Sequence, residues 1–121
     1  GSGRVKVGWM VDEQMLGKLA AKILLNLALI AGDALVRGGQ LDIGAESRPG
    51  VTEIVVRAEG PKLVLDPDLR AALAGTLPIE GLASRTAAAW MVRQLVMEAG
   101  GQIVLSPAGE PTLLFGAVIP G

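Results

Sequence analysis

The 121-residue chain has no histidine, no cysteine and no tyrosine, with one phenylalanine and two tryptophans. Without an imidazole it lacks the commonest general base and the commonest metal ligand, and it can carry no phosphohistidine of its own. Without a thiol it can form neither disulfides nor thiolate metal sites, a usage that fits the cytoplasm. Only 2% of residues are aromatic while 50% are hydrophobic, so the core must be built from Leu, Val, Ile and Ala. An excess of one charge is missing as well: eleven Lys and Arg against twelve Asp and Glu leave a net charge of -1. The basic residues are scattered rather than clustered, which argues against a nucleic-acid surface. Long apolar runs are also absent. The longest uncharged stretch of the apolar segment is the ten residues Ile23 to Gly32, interrupted by Asn26. That is about half of the roughly 20 residues needed to span a bilayer. No membrane segment and no signal peptide are expected.

What is present fits one domain. Gly1–Gly3 reads as a cloning scar, which leaves residues 4–121 as the domain. Val5, Val7 and Trp9 alternate with Lys6 and Gly8, the period of a half-buried strand. Asp12 can cap a helix running through Val36, with Gly38-Gly39 as its stop. Leu16, Leu19, Ile23, Leu27, Ile30 and Ala34 recur in that helix at steps of three and four. Leu24, Leu25 and Leu29 fill its other side, so it is expected to be covered on more than one face. Two strands follow, Gln40–Glu46 and Val51–Ala58, joined by the turn "SRPG". Asp66 caps a short helix with Pro67 at its first position, ending near Gly75. Ser84 opens a second long helix through Ala99, which Gly100-Gly101 close. Gln102–Ser106 and Thr112–Val118 form a last hairpin. This order predicts an α+β fold, a two-layer sandwich with helices on one face of a mixed sheet.

Three segments then carry a resemblance. "GGQIVLSPAGEPTLLFGAVIP" resembles the end of the ATP-binding domain of sensor histidine kinases, the GHKL or Bergerat fold, with Gly100, Gly101 and Pro120 at the expected places. "KILLNLALIAGDAL" resembles the N-box helix of that family. "VVRAEGPKLVLDPDLRAAL" is similar to its DxGxG segment and the short helix that follows. The resemblance implies where a nucleotide would bind, residue by residue. The magnesium-holding Asn of the N-box should follow Asn26 by four, and that position is Ile30. The Asp that reads the adenine amino group matches Ala58. Gly60 and Pro61 keep the glycine and the proline after it, but the next glycine matches Lys62. The second glycine-rich box falls on Thr86, Ala87, Ala88 and Ala89. Only Thr76 to Ala83 remains for the mobile ATP lid, so a Bergerat-like fold without that lid is expected.

At these vestigial positions a hydrocarbon replaces the metal ligand and a methyl replaces the adenine acceptor. Alanine Cβ atoms crowd the backbone approach that glycine permits. No cofactor and no metal are therefore expected, and no catalytic residue is assigned. Among bacterial proteins the profile resembles the histidine phosphotransferases of the ChpT type. In that type a helical-hairpin domain bearing the phosphoacceptor His precedes a degenerate kinase-like domain. The resemblance runs through Trp9 and "KILLNLALIAGDALVRGG", departing at Val36, where the pattern usually has Pro. It implies a module that helps to dock response-regulator receiver domains in a two-component phosphorelay. The implied partners are a receiver domain and the phosphoacceptor hairpin of a parent protein, through which a homodimer could form; neither nucleic acid nor membrane is among them.

Two alternatives stand beside this reading. One is a divergent ATP-binding kinase domain, for which Glu59 is the acid near the strand end. The other is a structural module that braces a dimer. Several residues have plainer roles. Asn26 is expected to satisfy a neighbouring backbone group, and Trp9 and Trp90 are expected to anchor the core. Asp66 and Asp68 read as cap and first-turn charge. Asp33, Asp42 and Glu46 read as solvated acids rather than metal ligands. Arg37, Arg85 and Arg93 read as a solvated face, with a weaker claim as partner contacts.

Overall fold

A computed structural model describes residues 3–121 of the chain; Gly1 and Ser2 of the expected scar lie outside the described residues. The elements follow the predicted order: β1 (Val5–Val11), α1 (Lys18–Ala34), β2 (Gly39–Arg48), β3 (Val51–Glu59), α2 (Pro67–Ala74), α3 (Ala87–Glu98), β4 (Gln102–Leu105) and β5 (Thr112–Pro120). The strands form one sheet in the order β1-β2-β3-β5-β4. β1 runs parallel to β2, and every other pairing is antiparallel. The fold is the expected α+β sandwich.

Period-two patterning decides which face is covered. Leu41 and Ile43 of β2, Ile54, Val56 and Ala58 of β3, and Leu113, Phe115, Ala117 and Ile119 of β5 all point into the core. α1 lays Ile23, Leu24, Leu27, Ile30, Ala31 and Ala34 against them, and α3 adds Ala89, Val92 and Val96. The opposite face is open and carries ion pairs. Arg57 meets Glu59 at 2.8 Å and Asp42 at 3.7 Å, and Arg48 meets Glu53 at 2.6 Å and Glu46 at 3.6 Å. The hydrogen bond to Glu53 and the charges of Glu53 and Glu46 hold the Arg48 guanidinium above its ordinary pKa. Among the described residues no helix is long and apolar enough to cross a membrane.

Several expectations need correction. Asp12 caps only a 3-10 turn, Glu13–Met15, accepting from the Gln14 N–H at 3.2 Å. The chain breaks at Gly17, and α1 starts at Lys18. Ser84 does not open α3; the segment before Ala87 is a second 3-10 turn, Ile79–Gly81, followed by a hydrogen-bonded turn at 84–86 in which the Thr86 N–H donates to the Ala83 carbonyl. β1 is exposed rather than half-buried, because it lies at the sheet edge beyond the reach of the helices. Trp9, 43% exposed, is therefore no core anchor, and Trp90 on the outer side of α3 is none either. The outer face of α1 is likewise uncovered, with Leu25 and Leu29 exposed.

α2 forms as expected. Asp66 accepts from the Asp68 N–H at 2.8 Å, Pro67 opens the helix, and Gly75 ends it at φ 79. Two backbone segments cross closely at the end of the sheet. A Cβ on Gly60 would sit 2.4 Å from the Gly38 carbonyl oxygen, and one on Gly39, at φ 138, would sit 2.2 Å from the Glu59 carbonyl oxygen. Neither site has room for a side chain. Gly60→Ala is expected to lose about 1–3 kcal/mol of stability through overpacking against rigid backbone. Gly44→Ala, where a new Cβ meets nothing closer than the Met10 carbonyl oxygen at 3.8 Å, should be close to neutral. Urea denaturation of both variants checks the contrast.

Candidate functional site

The positions matched to nucleotide contacts lie where α1, β3 and the start of α3 converge. Ile30 reaches the core from α1, Ala58 from the end of β3, and Ala89 from the first turn of α3. All three belong to one apolar cluster, with Ala58 and Ala89 fully buried. Gly60, Lys62, Ala87 and Ala88 do not join them. Lys62, Ala87 and Ala88 are exposed, and Gly60 serves the backbone crossing described above. The space between the helices and the sheet is thus occupied by the protein's own hydrocarbon.

Backbone closes it further. Leaving β3, the chain turns back over the end of α1, where the Val64 N–H donates to the Ala34 carbonyl at 2.9 Å and Leu63 bridges to Leu35. This brings Leu63 and Leu65 onto the core as a flap. Thr86 is fully buried and satisfied within its own turn. Its Oγ1 donates to the Ala83 carbonyl at 3.1 Å and accepts from the Ala83 N–H at 3.0 Å. The Thr86 hydroxyl is thereby committed to its own turn.

The short segment between α2 and α3 is strapped down. Arg85 donates to Asp66 at 2.9 Å and to Asp68 at 2.6 Å, which ties the start of α3 to the first turn of α2. The hydrogen bond to Asp68 and the charge of Asp66 raise the guanidinium above its ordinary pKa. Arg93 donates to the Leu73 carbonyl at 3.1 Å. Arg85 and Arg93 thus make internal contacts, while Arg37 stays exposed. The sequence hinted at this strap only through two acids and a distant arginine, with no fixed spacing to link them.

Two residues bear on whether an ATP site survives. Asn26 donates to the Lys22 carbonyl at 2.8 Å, satisfying its own helix as expected. Glu59 points to the open face of the sheet, bound to Arg57, while its neighbour Ala58 points inward. An acid there faces away from the crevice. A cleft of about 580 Å³ between Gly60–Pro67 and the 107–113 turn is lined by Gly60 among the matched positions and by Leu63 and Leu65 of the flap, but not by Ile30, Ala58, Thr86 or Ala89. A groove of about 470 Å³ on the open sheet face includes none of the matched positions. Among the described residues no cluster of three or more acids could hold a metal ion.

Comparisons with known proteins bear on the family and the fold. The family model described as histidine phosphotransferase C-terminal domain matches residues 1–111. A solved bacterial phosphotransferase is 26% identical with a TM-score of 0.80, and the match covers 94% of this chain and 55% of that one. This chain thus spans about half the length of that phosphotransferase. The mycobacterial sensor histidine kinase MprB superposes with a TM-score of 0.64 at 19% identity, over 97% of this chain and 82% of that one. Full-length ShkA, solved in complex with AMPPNP, does so with a TM-score of 0.62 at 20% identity, over 96% of this chain and 25% of that one. At such identities the two kinases share the fold. No curated protein matched in sequence.

Thr86→Val should cost about 1 kcal/mol, because the turn loses both hydrogen bonds while its packing volume is kept. Arg85→Gln should leave the melting temperature nearly unchanged, because the pair is exposed, yet speed proteolysis within residues 77–85. Limited digestion beside a thermal melt separates the two effects.

Proposed function

The chain belongs to the histidine phosphotransferase C-terminal domain family, and on that premise we propose that it acts as a docking module that binds no nucleotide. The observation that carries this reading is the filled crevice: Ile30, Ala58 and Ala89 packed in one core under the flap of Leu63 and Leu65. Room for a purine would require unpacking that core. Its partners, on this reading, are the receiver domain of a response regulator and a helical hairpin that bears the phosphoacceptor histidine. The N–P bond that breaks and the acyl phosphate that forms both lie on those partners, since this chain has no histidine. Its contribution is positioning: added interface lengthens the encounter and fixes its register. We place the module in the cytoplasm, with such a relay.

A bracing role is favoured by one specific observation, the uncovered apolar face of α1 at Leu25 and Leu29. A helical hairpin packed there would hold the module in place. The kinase reading has less support, since Glu59 faces away from the crevice.

Phosphotransfer kinetics separate docking from bracing. Removing this module from a phosphotransferase that carries it should raise the KM for the receiver by about tenfold, about 1.4 kcal/mol of lost interface. The kcat should hold, with the hairpin still folded by circular dichroism. Unchanged KM and kcat would leave bracing as the function.

A further inference from the structure

The sheet has two edges of different character. β4 is four residues long and is followed by Pro107, a short edge that offers little to pair with. β1 is seven residues long, has no proline, and pairs with β2 alone. Its other edge meets no strand among the described residues. Its single charge, Lys6, lies on the open face of the sheet. On the helix side stand Val5, Val7 and Trp9, all exposed, with Val7 at 57%.

The hydrogen-bond phase of β1 shows which groups are available. The Arg4 carbonyl accepts from the Gly39 N–H at 3.0 Å, so Arg4 and its even-numbered successors turn their backbone groups toward β2. By alternation, Val5, Val7, Trp9 and Val11 turn theirs outward. We propose that this edge pairs with the same edge of a second copy, antiparallel about a two-fold axis at Gly8. That register sets Val7 opposite Trp9 and Val5 opposite Val11, each as a hydrogen-bonded pair.

The sequence of β1 is self-complementary in this register. On the helix side every cross-strand pair is apolar, so Val5, Val7, Trp9 and Val11 of both copies form one continuous row. On the open face Lys6 lies opposite Met10, where its stem can run along the thioether and its ammonium stays in water. Gly8 meets Gly8 at the axis, where side chains from the two copies would otherwise crowd. An isologous contact of this kind closes on itself and gives a dimer rather than a fibre. The two five-stranded sheets become one of ten strands. The inference rests on the edge alone and is independent of the docking reading.

Sedimentation of the chain over a concentration series tests it. The expected result is a reversible shift from the 12.4 kDa monomer to twice that mass. Val7→Lys should weaken association by about tenfold or more, because a charge enters the apolar row. Leu29→Lys, on the exposed face of α1, should leave association unchanged. Both positions are exposed, and circular dichroism confirms that the variants fold. Amide exchange gives a second signature: Val7 and Trp9 should become protected as concentration rises, while Lys6 and Gly8, bonded to β2, stay protected throughout. A monomer at every concentration overturns the proposal. So does a dimer broken by Leu29→Lys but not by Val7→Lys, or one in which Val7 and Trp9 exchange freely.

Discussion

The Val64 N–H on the Ala34 carbonyl, at 2.9 Å, joins the exit of β3 to the end of α1, and much of the molecule depends on that closure. With the chain turned back at this point, Leu63 and Leu65 lie on the core, and β3 and α1 cannot separate without breaking backbone hydrogen bonds. The turn relies on Gly39 and Gly60, which let two backbones touch at distances where a Cβ would collide. The glycine that resembled a remnant of a nucleotide loop has a present use in packing. On the reading proposed above, a lost site keeps only those residues that the fold still requires.

The same constraint orders the other substitutions. Once the crevice is closed, an acid at position 58 or an amide at position 30 would be buried without a partner, which costs free energy wherever it occurs. Methyl and branched hydrocarbon are the fitting residues there. Thr86 is a buried polar side chain in that region, and it is satisfied by its own turn. Arg85 then ties the short segment between α2 and α3 across the first turn of α2, where a mobile lid would need freedom.

The fold was largely legible because its signals are local. Strand alternation, the Asp66-Pro67 start and Gly75 stop of α2, and the closing Gly100-Gly101 each act within a few residues. The substituted positions could be named by their place in three segments. The errors came where distant structure decides. Nothing in "VKVGWMV" says that β1 is an edge strand, so Trp9 read as core when no helix covers it. The period of α1 could not show that Leu25 and Leu29 lack a cover, because a buried leucine and an uncovered one are written alike. The Arg85 strap spans nineteen residues to Asp66, beyond the reach of any local pattern. Gly17, exposed and extended at φ -69 and ψ 163, ends the run that Asp12 was expected to cap; the low helix propensity of glycine fits a break there, and the apolar period on either side of it masked that signal.

The most direct test is calorimetric titration of the folded chain with Mg-ATP at millimolar nucleotide. A crevice filled by Ile30, Ala58 and Ala89 predicts no heat beyond dilution and no thermal shift. A dissociation constant tighter than about a millimolar, about 4 kcal/mol of binding, would show that the core opens to admit a nucleotide and would return the domain to the kinases.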